Sequence, residues 1–97
     1  MSVVVRIPTI LRSYTGGAAE VEVSPPAGDG GPTLASVLDA LERAHPGIRA
    51  RVLDEQGRLR RFVNVYVDDD DVRFAQGLDT PTPDGTKVSV IPAVAGG

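Results

Sequence analysis

The run Val3-Val4-Val5-Arg6-Ile7 is β-branched almost throughout and is stopped by Pro8, which predicts a first strand. Side chains alternate across a strand, so Val3, Val5 and Ile7 share one face while Val4 and Arg6 share the other. Tyr14-Thr15-Gly16-Gly17 carries turn chemistry, and Ala19-Glu20-Val21-Glu22-Val23 then alternates with period two, Glu20 and Glu22 facing solvent. The two strands read as an antiparallel hairpin. Residues 24–32 are rich in Pro and Gly and read as a loop. Thr33 stands where an N-cap belongs, and Leu34, Val37, Leu38, Leu41 and Ala44 follow at helical spacing until Pro46-Gly47 breaks the pattern. Asp39, Glu42 and Arg43 lie off that stripe, so the helix buries one face and wets the other.

Residues 48–59 are charged and less periodic, and predict a short irregular turn of helix followed by a turn at Gln56-Gly57. Residues 62–67 carry the clearest strand pattern: Val63, Val65 and Val67 face the core, and Phe62, Asn64 and Tyr66 face the other way. Asp68 to Asp71 reads as a polar turn, Val72-Arg73-Phe74 as a brief strand and 78–85 as turns, before a last strand from Thr86 to Ile91 that ends at Pro92. One helix covers one sheet face, so the expected architecture is an α+β roll with a solvated outer face.

Ninety-seven residues suit one domain, and Leu, Ile, Val and Phe together exceed the roughly 20% below which chains stay disordered. The net charge of −3 is the wrong sign for binding that rests on phosphate neutralisation, so nucleic acid is not an expected partner. The absence of cysteine excludes disulfides, thiolate zinc sites and a cysteine nucleophile, and a single histidine leaves no cluster for a metal. Neither a signal-peptide core nor an eighteen-residue apolar run is present; a cytoplasmic protein with no membrane partner is expected.

The sequence ends Ile91-Pro92-Ala93-Val94-Ala95-Gly96-Gly97, directly after the last strand. This ending, the order of elements, and the stretch Arg61-Phe62-Val63-Asn64-Val65-Tyr66-Val67 followed by Asp68-Asp69-Asp70-Asp71-Val72-Arg73-Phe74 together resemble the ubiquitin-like sulfur carriers, the MoaD, ThiS and CysO family. The opening Arg6-Ile7-Pro8-Thr9-Ile10-Leu11-Arg12, with Thr15-Gly16-Gly17, is most similar to the CysO branch, the carriers of one route to cysteine. The resemblance implies a β-grasp fold, a mixed sheet of four to five strands covered by one main helix, with Ala93, Val94, Ala95, Gly96 and Gly97 as a tail.

The resemblance also implies chemistry. A C-terminal carboxylate, with an ordinary pKa of about 3.3–3.7, is ionised at pH 7 and is a poor acyl donor. The family's answer is an ATP-dependent adenylyltransferase/sulfurtransferase that places AMP on the terminal glycine, here Gly97, after which a sulfur donor displaces AMP to leave a thiocarboxylate. Neither terminal glycine carries a Cβ, so the end suits a narrow channel, and five residues reach at most about 16–18 Å. The carrier itself needs no cofactor and is not an enzyme; its implied partners are the activating enzyme, a pyridoxal-phosphate cysteine synthase and a metalloprotease that releases cysteine. Within the family, the small subunit of molybdopterin synthase and a thiamine sulfur carrier share these features. Ligation of Gly97 to lysines as a protein modifier, and a plain interaction module with an inert tail, are the readings from other classes.

On the outer sheet face, alternation places Val4, Phe62, Tyr66 and Ile91 among polar Arg6, Asn64, Lys87 and Ser89, a mixed patch suited to partner docking. Asp68 to Asp71 lacks the spacing of a calcium loop and is expected to be a solvated turn. His45, before Pro46-Gly47, is expected to sit at a helix C-terminus rather than to catalyse. Arg49, Arg51, Arg58, Arg60 and Arg61 read as a solvated face.

Overall fold

Alternating valines build the sheet. In the computed structural model, which describes residues 2–25 and 31–92, Val3 and Val5 of β1 (Val3–Arg6) are buried and Arg6 is exposed. β1 pairs antiparallel with β2 (Glu20–Val23) in the register Val3↔Val23 and Val5↔Val21, which leaves Glu20 and Glu22 in solvent as the alternation requires. β3 (Val63–Val67) buries all three of its valines. It pairs antiparallel with β5 (Lys87–Pro92), Val65↔Val90 and Val67↔Val88, while β5 runs parallel to β1, Val5↔Val88. A two-residue strand β4 (Asp70–Asp71) completes a five-stranded mixed sheet of order β2-β1-β5-β3-β4. The sheet and its helix make the β-grasp architecture.

Helix α1 (Leu34–Ala44) presents Leu34, Val37, Leu38 and Leu41, all without solvent exposure, to the valine face of the sheet. Its start is fixed at Thr33, whose N–H donates to Ser36 Oγ at 2.8 Å, satisfying a donor that the first helical turn cannot. His45 is the C-cap, its N–H donating to Leu41 O at 2.8 Å. Ala44, expected on the buried stripe, is exposed: it lies in the last turn, and Ile48 beyond the Pro46-Gly47 turn takes the core position at that end. The expected short turn of helix is α2 (Arg49–Val52), and with Leu53 it contributes Val52 to the core despite the surrounding arginines. Glu42 ties α1 to α2, accepting from Gly47 N at 2.9 Å and Arg49 N at 3.0 Å. These two backbone hydrogen bonds, the Gly47 one first, hold its carboxyl below the ordinary range.

Two segments depart from the sequence pattern. Residues 9–15, between the hairpin strands, form a 3₁₀ segment (Thr9–Thr15) that buries Leu11 and ends at Gly16 in the left-handed region, φ 66°. Tyr14 of this segment lies over Gly47, where a Cβ would meet its ring at 3.0 Å and where φ is 101°, so only glycine suits that turn. Tyr14 Oη also accepts from Arg51 Nε at 2.7 Å. The second departure is Val72-Arg73-Phe74, which is a turn of 3₁₀ helix and not a strand. Asp71 Oδ1 accepts from Arg73 N at 2.9 Å, capping the turn, while Val72 is fully buried; the edge strand is Asp70–Asp71 instead.

Two predictions follow from this core. V65D places an unpaired charge at a position with no solvent exposure, and should abolish cooperative thermal unfolding monitored by circular dichroism, a loss of more than about 4 kcal/mol. Because the Glu42 pKa is depressed on folding, its contribution is present above the unfolded-state pKa and is lost as pH falls through the folded one. E42Q should therefore lower stability by about 1 kcal/mol near pH 7, comparable to loss of a helix cap. The gap to the wild-type chain should close progressively in melts taken from pH 5 downward, about the carboxylate range; a gap independent of pH would remove the ionised carboxylate from the account.

Candidate functional site

The tail leaves from the middle of the sheet. β5 is the central strand, and its last residue, Pro92, pairs with Val63 at the start of β3. Because β1 runs parallel to β5, the C-terminal end of β1 and the 3₁₀ segment that follows it stand on the other side of Pro92. Residues 93–97, including the expected sulfur-carrying Gly97 and the tail residues Ala93, Val94, Ala95 and Gly96, lie outside the described residues. Three large apolar side chains are exposed around this exit: Ile10 (70%), Phe62 (54%) and Ile91 (46%).

The register also settles which residues share the outer face. Val4 pairs with Lys87, Arg6 with Ser89, Ile91 with Asn64 and Ser89 with Tyr66, so these seven side chains alternate away from the buried valines. Val4 and Tyr66 are half-buried there, and Phe62, one residue before β3, lies at the exit end. The apolar members nearest Pro92 are Phe62 and Ile91; Val4 lies at the far end, opposite Lys87, and Tyr66 lies opposite Ser89. Val4, Tyr66 and Ile91 face outward in this register, and Phe62, just before β3, is exposed. Ile10 falls outside that alternation because residues 9–12 carry no periodic signal.

Arg73 fixes the approach to β3. Its Nη2 donates to Arg60 O at 2.6 Å, to Val63 O at 2.7 Å and to Arg61 O at 3.3 Å, and its Nη1 donates to Asn64 Oδ1. One guanidinium thus holds the turn that carries Phe62. Four of the five arginines of the basic run are engaged locally: Arg49 pairs with Asp39 at 3.3 Å, Arg51 donates to Tyr14 Oη, Arg60 Nε donates to Ala50 O at 2.9 Å, and Arg58 faces Asp54 at 3.9 Å. The aspartate run is equally occupied with local structure. Asp68, at φ 54°, accepts from Lys87 N at 3.1 Å, and Asp71 caps the following turn. Among the described residues no group of three or more His, Asp or Glu side chains is placed to hold a metal ion, and no helix is long and apolar enough to cross a membrane.

A central strand ending in a short C-terminal segment, flanked by exposed apolar side chains on a β-grasp body, defines the ubiquitin-like class. The model of the ThiS family matches residues 5–97. Sulfur carrier protein CysO of Mycobacterium tuberculosis is 50% identical over an alignment of 99 residues that covers 100% of both chains. Among solved structures, the Amycolatopsis orientalis BexX/CysO complex contains a chain that superposes with TM-score 0.85 at 47% identity, covering 98% of this chain and 99% of that one. The crystal structure of Mycobacterium tuberculosis CysO superposes with TM-score 0.84 at 48% identity, covering 95% and 99%. The chain belongs to the ThiS family: it is a ubiquitin-like sulfur carrier and not an enzyme.

R73A should lower stability by about 1 kcal/mol, the usual worth of such hydrogen bonds, and R73K should restore little because an ammonium cannot fork across four acceptors. Denaturant midpoints of the three proteins check this; equal midpoints for R73A and wild type would show that the guanidinium does not hold the turn.

Proposed function

We propose that Gly97 carries sulfur as a C-terminal thiocarboxylate and delivers it for cysteine synthesis. The Gly97 carboxylate attacks the α-phosphorus of ATP on an activating enzyme and pyrophosphate leaves; sulfide then adds to the acyl adenylate and AMP leaves, so that C–S replaces C–O. No residue of the carrier needs to act as acid or base. The body presents the terminus, and Phe62, Ile91, Tyr66 and Val4 are the surface by which it docks. The observation that carries this reading is the position of Pro92, the end of the central strand, five residues before Gly97 and flanked by exposed Phe62 and Ile91. A tail of that length reaches no more than about 16–18 Å, enough for the terminus to enter an active site while the body stays outside.

The likeness to CysO favours the cysteine route, with a pyridoxal-phosphate cysteine synthase accepting the thiocarboxylate and a metalloprotease releasing cysteine. A pull-down with the loaded carrier distinguishes this from delivery to a molybdopterin synthase large subunit. Lys87 is the single lysine, so branched chains of several linkage types are closed to this sequence.

Deleting Gly97 should abolish loading by the activating enzyme, ATP and sulfide, read as loss of the oxygen-to-sulfur mass change, with an unaltered melting curve. F62D should leave the fold intact and weaken docking by about 1–3 kcal/mol if Phe62 is a central contact. A Gly97 deletion that still delivers sulfur and supports cysteine formation would hand the function to the body alone.

A further inference from the structure

An open groove of about 950 Å³ runs beside the tail exit, between the 3₁₀ segment and the ends of β1 and β5; Arg6, Pro8, Ile10, Arg12, Ile91 and Pro92 line it. We propose that this groove receives the surface of the enzyme that adenylates Gly97, taking one apolar side chain between Ile10 and Ile91 and a carboxylate against Arg12. The proposal rests on the carrier reading above, and adds to it a second contact, off the sheet face, on an element that the sheet register does not include.

Chain length makes the first argument. Pro92 is itself part of the groove wall, and Gly97 is five residues further on. An enzyme that encloses Gly97 must bring its own surface to within about 16–18 Å of Pro92, the full extension of five residues. The groove lies inside that radius on the β1 side of the exit, as Phe62 does on the β3 side. A body docked only through the sheet face would leave Ile10, on the 3₁₀ segment beside Pro92, in water at the edge of the interface.

Rigidity makes the second. An isoleucine at 70% exposure on a loop would collapse or move, but the segment that holds Ile10 is pinned at four points. Leu11 is buried, Thr15 Oγ1 donates to Ala18 O at 2.9 Å, Arg12 Nε donates to Ile7 O at 3.1 Å, and Tyr14 lies over Gly47 with its hydroxyl accepting from Arg51. Ile10 is thereby held out at a fixed place, which spares the ordering cost that weakens contacts made by mobile side chains.

Charge makes the third and sets the partner's chemistry. The groove lining holds two cations and one carboxylate: Glu20 faces Arg6 at 3.9 Å in an exposed pair, whereas the Arg12 terminal nitrogens make no hydrogen bond among the described residues. A planar fork with unused donors beside an apolar slot fits a carboxylate adjacent to an apolar side chain. A second copy of this chain, itself at net charge −3, is the poorer occupant.

The test uses the full chain as wild type, I10A, I10D and R12Q, with the activating enzyme, ATP and sulfide, and reads thiocarboxylate formation by intact mass. Circular dichroism melts accompany each variant. I10D should raise KM about tenfold or more, as loss of an anchoring contact does, with kcat at saturation close to wild type; I10A should fall between. R12Q should raise KM and flatten its dependence on salt, because one ionic contact has gone. Wild-type KM for a folded I10D, or a fall in kcat without a rise in KM, overturns the groove proposal while leaving the carrier reading standing. A wild-type chain that is not loaded by an enzyme active on its own carrier overturns the carrier reading, and the groove falls with it. Sedimentation that finds a dimer dissociated by I10D assigns the groove to a second copy and overturns the proposal too.

Discussion

The parallel pairing of β1 with β5 is the constraint on which the rest of the molecule depends. It joins residues 4–6 to residues 87–89, so the first and last strands of the described chain become neighbours at the centre of the sheet. Parallel strands cannot be joined by a tight turn, and everything between them must cross over; the crossover is α1, which packs its leucines on the inner face. The same pairing places the end of β5 between the start of β3 and the 3₁₀ segment, and so decides what surrounds the exit of the tail. It also imposes a kinetic cost, because the central pair closes a loop of nearly the whole chain and forms only when that entropy has been met.

Once β5 is central, one-residue alternation sorts the two faces. Val88 and Val90 go inward beside Val5 and Val65, while Lys87, Ser89 and Ile91 go outward beside Val4, Arg6, Asn64 and Tyr66. A register slip of one residue would put Lys87 and Ser89 under the helix, at a cost far above the stability of so small a domain. The buried pattern therefore protects the outer pattern. The residues proposed for docking sit in the half of the alternation that folding does not use, so they can change without touching the core.

What the sequence made legible was whatever has a period. The valines of 3–5, 63–67 and 88–90 alternate, the leucines of 34–41 recur at helical spacing, and their faces were readable before any coordinates. Val72-Arg73-Phe74 is too short to have a period, and its β-branched and aromatic residues point to a strand until the side chain of Asp71 is seen to cap a turn there. Residues 9–15 are helical only because Leu11 and Tyr14 find partners far away in sequence, and no local signal carries that. Ile48, Val52 and Leu53 are core residues hidden among arginines that point outward. The same split runs through the site. Phe62 and Ile91 stand out by alternation, whereas Ile10 belongs to an element held by tertiary contacts and Arg73 reaches four carbonyl and amide oxygens that no local pattern announces.

A carrier that visits several enzymes must dock well enough to present its terminus and poorly enough to leave. The short connection between Pro92 and Gly97 reconciles the two demands. When the body is docked, a segment of five residues confines the terminus within about 16–18 Å of the exit, which raises its local concentration at an adjacent active site into the mM range without any contact to Gly97 itself. The surface proposed for docking then needs only modest affinity, and the composition of the outer face suits that. Its polar members are Arg6, Asn64, Lys87 and Ser89, and its exposed apolar members, Phe62 and Ile91, are few and lie beside the exit. A larger apolar face would hold the carrier on the first enzyme it met and expose the free body to self-association. The sparse ring of Phe62, Ile91 and Ile10 is thus what a shared substrate requires: enough area to choose an orientation, with the reach of the tail doing the rest.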